Sequence, residues 1–134
     1  MTTFVDTNVV IDALDPAAPR HEWAKESLAG ADQPIVVCDI VYSEFSVSLD
    51  SVARTNEAIT RLSLERYSFT DQSLFAAGKA FAEYKRRGGT KTNVLSDFLI
   101  GALAHSENVV LLTANARDFR SYFPGLALVS PPKP

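Results

Sequence analysis

Short apolar runs, several ending on an acidic or polar residue, alternate along this chain with longer stretches of helical period. Thr3-Phe4-Val5 is a β-prone run that stops at Asp6, after which Val9, Val10, Ala13 and Leu14 recur at helical spacing until Asp15-Pro16 breaks the pattern. Pro19 and Arg20 open a second helical stretch through Trp23, Ala24 and Leu28, closed by Gly30. Ile35–Cys38 reads as a buried strand, and Asp39 as the N-cap of a helix over 40–49. A helix over 55–62 and a short strand at 66–69 follow. Thr70 or Asp71 caps the clearest helix, which carries Leu74, Phe75, Ala77, Phe81 and Tyr84 on its apolar stripe and ends at Gly88-Gly89. Ser96-Asp97 starts a mostly apolar helix reaching Ser106, and 109–113 is the strongest strand of the chain. Residues 119–124 read as a turn region and 127–129 as an edge strand. Strands alternating with helices, joined by right-handed crossovers, predict an α/β domain with a mainly parallel sheet covered by helices on both faces.

The 134 residues suit one domain, in which folding removes roughly two-thirds of the unfolded surface from water. The expectation is one domain over 1–130 and a Pro-rich C-terminal tail over 131–134. Charged or polar residues interrupt every apolar run before the ~20 residues of a membrane span. One cysteine and two histidines exclude a cysteine-rich zinc site, and Cys38 reads as a small buried apolar residue. No basic stretch followed by a cleavable apolar one opens the sequence, so a cytoplasmic protein is expected. The net charge of -3 gives no global reason to expect a nucleic acid, so such a partner has to be argued from local features.

In a parallel sheet of this kind ligands bind beyond the carboxyl ends of the strands, where the N-termini of the returning helices also lie. Asp6 ends the first strand, Glu44 stands about one turn into the helix after the second, Asp97 opens the helix before the strand at 109–113, and Asn115 follows that strand. Four oxygen-bearing side chains, distant in sequence, therefore converge on one edge. Glu44 shares a helix face with Ile40 and Val47, and Asp97 with Val94 and Ile100; a carboxylate on a semi-apolar face is costly to bury unless it is paired or metal-bound. Gly101, one turn beyond Asp97, removes side-chain bulk from the same face. Neighbouring carboxylates repel and raise one another's pKa values until a divalent cation compensates. Oxygen ligands without nearby cysteine or histidine suit Mg2+ or Mn2+ rather than zinc. Each residue also has a purely structural reading: Asp6-Thr7-Asn8 and Ser96-Asp97 as helix caps, Glu44 as the partner of an arginine.

These residues stand in segments that resemble the PIN-domain family, and more narrowly the VapC-type ribonuclease toxins. The resemblance rests on Phe4-Val5-Asp6-Thr7-Asn8-Val9-Val10-Ile11-Asp12, Ser43-Glu44-Phe45, Asp97-Phe98-Leu99-Ile100-Gly101-Ala102, and Leu111-Leu112-Thr113-Ala114-Asn115 with Arg117-Asp118-Phe119. It implies a three-layer α/β/α PIN-like domain that cleaves RNA endonucleolytically with Mg2+ or Mn2+. Asp6, Glu44 and Asp97 match the family's acids, and Asn115 stands where many relatives carry a fourth. On that resemblance Asp6 and Asp97 hold the principal ion, Glu44 helps hold it and orients or deprotonates the attacking water, and Asn115 completes the shell. Thr7, Asn8 and Thr113 are candidate donors to phosphate or to water around the ion, or else cap helices and strand ends. Asp118 either compensates for the charge missing at Asn115 or, as the preferred reading, is a turn residue bonded to local backbone. The resemblance further implies a VapB-like antitoxin, with Val10, Leu14 and Trp23 either forming its groove or packing the core, and a homodimer.

A basic rim would reconcile an acidic chain with RNA. Lys79, Lys85, Arg86, Arg87 and Lys91 precede Asp97, and Arg117 and Arg120 follow the last motif. Lys85-Arg86-Arg87 equally complements the dipole of a helix C-terminus. His21 and His105 receive no catalytic role. Two alternatives stand beside the ribonuclease: a haloacid-dehalogenase-like phosphohydrolase with Asp6 as nucleophile, although such enzymes usually need a second Asp where Asn8 stands, and a weakly catalytic PIN-like module that binds RNA or protein.

Overall fold

The computed structural model describes residues 2–91 and 94–132. Its strands are short because each apolar run is short: β1 (Thr3–Val5), β2 (Ile35–Cys38), β3 (Leu64–Tyr67), β4 (Val110–Leu112) and β5 (Leu128–Val129). They form one sheet in the order β3-β2-β1-β4-β5, every neighbouring pair parallel. β1 and β2 are buried along their whole length, the signature of strands covered on both faces.

Seven helices connect the described strands. α1 (Thr7–Leu14) and α2 (His21–Gly30) lead from β1 to β2, and α3 (Asp39–Ser46) and α4 (Val52–Arg61) lead on to β3. α5 (Asp71–Arg86) and α6 (Leu95–Ser106) return from β3 across the sheet to β4, and α7 (Ala116–Tyr122) joins β4 to β5. The path runs one way from β1 to β3 and the other way from there to β5. With right-handed connections this puts α1–α4 on one face and α5–α7 on the other. Chain paths therefore diverge between the adjacent strands β1 and β4, and the crevice at their carboxyl ends is the switch point at which open α/β sheets bind ligands.

Local chemistry explains most boundaries. Ser51 caps α4 through the Arg54 N–H, and Thr70 and Ser73 exchange side-chain and backbone bonds as a capping box at the start of α5. α5 ends at Gly88, whose φ of +89° is a left-handed conformation that suits glycine. Between the faces lies a core in which Phe45, Phe98, Phe119, Leu103, Leu111 and Leu112 are fully buried.

Some expectations change, with the helix expected over 55–62 running from Val52 to Arg61 and the strand expected at 66–69 from Leu64 to Tyr67, and an open alternative is resolved. Residues 119–124 are mostly not a turn: α7 runs to Tyr122, because Ala116, Phe119 and Phe123 recur at helical spacing and bury against the core. Polar residues between them hid that short stripe. Asp39 begins α3 instead of capping it, and its carboxylate pairs with Arg66 on β3. Val10 is buried with 0% exposure and belongs to the core, whereas Leu14 and Trp23 are half-buried against it. The expected tail at 131–134 extends past the described residues, since Lys133 and Pro134 lie outside them; Pro131 and Pro132 carry no regular secondary structure.

Candidate active site

Asp6 follows β1 and is the N-cap of α1, so its carboxylate lies where helix N–H groups collect negative charge. Its Oδ1 accepts the Thr7 N–H at 2.8 Å. Its Oδ2 accepts the Thr113 hydroxyl at 2.7 Å and the Asn8 Nδ2–H at 3.2 Å. Thr113, with 0% exposure, accepts in turn from the Asn115 N–H at 2.9 Å, and the Asn8 carbonyl oxygen accepts the Ala114 N–H at 3.0 Å. Two loops 107 residues apart in sequence, after β1 and after β4, are thus tied through one carboxylate. The cradle satisfies Asp6, which is 5% exposed, yet burial still pushes its pKa up; the donors lower it and the charge of Glu44 raises it further.

Glu44 projects from α3 and is exposed; its Oε1 accepts the Thr7 hydroxyl at 2.6 Å. Asp97 is the third residue of α6 and is half-buried. No hydrogen bond reaches its carboxylate among the described residues, and its pKa is pushed up to about 6, first by burial and then by the charges of Asp6, Glu44 and Asp118, against a smaller opposing effect of Lys91. That set of perturbing charges shows that the three acids read from the sequence share one edge, and that a fourth stands with them. The fourth is Asp118, in the first turn of α7. Its Oδ2 accepts the Asn115 Nδ2–H at 3.0 Å, so its bond is to a side chain instead of the expected local backbone. The amide of Asn115 is thereby turned toward Asp118. An i, i+3 pair at a helix start was the available signal, and it was obscured by reading the helix as a turn.

The donor set fits a hard divalent cation in chemistry and charge: four carboxylates whose mutual repulsion is felt at Asp97. Among the described residues no three His, Cys, Asp or Glu side chains already enclose a single metal position, so binding requires side-chain rotation at the exposed members. Asp6 is fixed by its cradle; Glu44, with one short hydrogen bond, has freedom to turn.

The rim is redistributed. Arg86 and Arg87 both pair with Glu83 on α5, and the Lys85 ammonium lies 6.0 Å from the Phe81 ring centroid. Lys79 stands over Phe75 at 5.1 Å. Lys91 remains close enough to be felt at Asp97, and Arg117 lies on α7 beside Asp118. His21 Nδ1 lies 2.8 Å from the Asp12 carbonyl oxygen, and His105 packs near Phe123, so both histidines have structural contacts. Cys38 is buried, which pushes its thiol pKa up. A cavity of about 360 Å³ lies elsewhere, between α2 and the sheet beside Thr2, Gly30 and Val110. Gly101 makes room for α7: a Cβ there would stand 2.5 Å from the Phe123 ring and 3.1 Å from Phe119.

Residues 3–122 match the family model of the PIN domain. No curated protein matches the sequence. Among solved structures, VapBC2 from Rickettsia felis, bound to a DNA fragment from its promoter, is 25% identical with a TM-score of 0.73, covering 98% of this chain and 100% of that one. VapBC-1 from nontypeable Haemophilus influenzae is 22% identical with a TM-score of 0.73, covering 97% and 98%. VapC20 of Mycobacterium tuberculosis, a toxin that cleaves the sarcin-ricin loop, is 19% identical with a TM-score of 0.69, covering 96% and 99%.

Proposed function

From the premise that this chain belongs to the PIN-domain family, we propose that it is a metal-dependent endoribonuclease, the toxin of a VapBC-type toxin–antitoxin pair. The observation that carries the reading is the electrostatic state of Asp97: a half-buried carboxylate that has no hydrogen-bond donor among the described residues and feels three other carboxylates at the sheet's switch point. Such a site is strained without a cation and relieved by one.

Asp6, Asp97, Glu44 and Asp118 are the residues that would hold Mg2+ or Mn2+. When bound, such an ion makes water more acidic and neutralises charge on the phosphate. The chain's own groups do the rest. Thr113 and Asn8 fix Asp6, so that the deepest ligand needs no reorganisation. Thr7 steers Glu44, which accepts the proton of the attacking water as the water oxygen bonds to phosphorus, while the phosphorus–oxygen bond to the leaving nucleotide breaks and that oxygen takes a proton from solvent. Asn115 holds Asp118 toward the same edge.

The reading also includes a VapB-like antitoxin, a homodimer and a cytoplasmic location. VapBC complexes among the structural relatives support the first. Leu14 lines a cleft with Leu49 and Ala58, and exposed Val47 and Val52 offer apolar surface to such a partner. No helix among the described residues is long and apolar enough to cross a membrane. The phosphohydrolase alternative gains nothing from the geometry, because both oxygens of Asp6 accept hydrogen bonds in a 5% exposed cradle.

The test is cleavage of total cellular RNA by purified protein with Mg2+, with Mn2+ and with EDTA. Discrete products with either metal, lost in EDTA and in Asp97→Asn, are expected. RNA bound but uncut in excess Mn2+ would favour the binding-module reading instead.

A further inference from the structure

Arg20, Arg117 and Arg120 line one open cleft of about 250 Å³, together with Ala114, Ser130 and Pro131. No carboxylate side chain among the described residues lines it. Arg20 comes from the connection before α2, Arg117 and Arg120 from α7, and Ser130 and Pro131 from the chain after β5, so three distant segments build the site. All three arginines are exposed, and among the described residues none forms an ion pair. The contrast with the C-terminal end of α5 is chemical: there Glu83 already neutralises part of the charge of Arg86 and Arg87. Three unpaired guanidinium groups on one concavity in a chain of net charge -3 mark a local anion site.

Its position identifies the anion. Ala114 forms part of the cleft wall, and its N–H is bonded to Asn8, which in turn donates to Asp6. Arg117 is next to Asp118 on α7. The cleft therefore adjoins the acidic edge across a single stretch of backbone. Planar guanidinium groups match phosphate oxygens in pairs, and they hold a polyanion without reading its bases. We propose that this cleft binds a backbone phosphate of the RNA strand flanking the bond that is cut. The acidic edge handles the scissile phosphate, and the arginine cleft anchors its neighbour and sets the direction of the strand. This inference rests on the ribonuclease reading, which is what selects phosphate over carboxylate, since a guanidinium group pairs with either.

The experiment compares wild type, the triple variant Arg20→Gln/Arg117→Gln/Arg120→Gln, and a control, Lys25→Gln/Arg61→Gln, which removes cations lining a separate cleft beside Gln33 and Ile35. Cleavage kinetics are measured on a short single-stranded RNA. Binding of that RNA in EDTA is measured over a range of salt, alongside inorganic pyrophosphate and an oligoglutamate peptide, and circular dichroism checks the fold. For the triple variant KM should rise at least about tenfold with a smaller change in kcat, and the slope of log K against log salt should fall by about 0.7, the share of one phosphate on a single strand. Pyrophosphate binding should be lost, and the control should keep both activity and slope within about twofold. An unchanged KM and slope in a folded triple variant overturn the cleft while leaving the ribonuclease standing. Tighter binding of oligoglutamate than of RNA through the same arginines overturns the phosphate assignment. If wild type neither cuts nor binds RNA, the ribonuclease reading and this RNA subsite both fail, and pyrophosphate bound only with the arginines intact would then identify a bare anion site.

Discussion

Asp6 and Asp97 occupy the same edge in opposite conditions. Asp6 is enclosed by three donors that also join the loops after β1 and β4, so it acts as a structural rivet as well as a candidate ligand. Asp97 has no donor among the described residues and is surrounded by like charge. Burial costs both of them, but among the described residues only Asp6 has a network that offsets the cost. The difference teaches that the site combines a fixed anchor with a strained partner, and that stability and activity should separate cleanly between the two.

The largest expected effect is on catalysis, where the two residues should behave alike. Asp6→Asn and Asp97→Asn should each lower RNA cleavage by about two orders of magnitude or more, measured as kcat/KM in saturating Mg2+. On stability they should diverge. Asp6→Ala removes the α1 cap and leaves the buried Thr113 hydroxyl without its acceptor, so denaturant unfolding should show a loss of about 2–4 kcal/mol. Comparable stability in Asp6→Ala and wild type would break the distinction.

A second effect reaches the edge through packing. Gly101→Ala places a methyl against the Phe123 ring and should cost about 1–3 kcal/mol in the same assay. It should also lower cleavage several-fold, since α7 carries Asp118 and receives Asn115 as its cap. Lost stability with full activity would show that the position of α7 does not matter to the site.

The smaller effect depends on pH. Asp97 has its pKa raised from an ordinary 3.8 to about 6, so its protonated form favours the fold. That contribution is fully present below about pH 3.8 and is lost as pH rises through about 6. In EDTA, Asp97→Asn should therefore be more stable than wild type near pH 8, by on the order of 1 kcal/mol, with the gap closing toward pH 4. Thermal unfolding at both pH values reads this directly, and a gap that widens on acidification would contradict it.

Legibility followed sequence distance and context. The order of strands and helices could be read because each apolar run is bounded by a clear breaker, and Asp6 and Asp97 stand where a strand ends and a helix starts. Asp118 reads more readily as a turn residue than as a fourth acid because α7 is seven residues long and its stripe of Ala116, Phe119 and Phe123 is interrupted by charge. The twin role of Thr113 needed tertiary contact with Asp6 to become visible. Among the basic residues, composition marked the cluster at 85–87, whereas Arg20 meets Arg117 and Arg120 only after folding.

The most direct measurement of the central claim is calorimetric titration of Mn2+ into wild type and Asp97→Asn near pH 7.5. Wild type should bind Mn2+ saturably, and Asp97→Asn, folded by circular dichroism, should bind at least about tenfold more weakly. Equal affinity in the two proteins, or no binding to wild type, would contradict the assignment of this edge as a cation site.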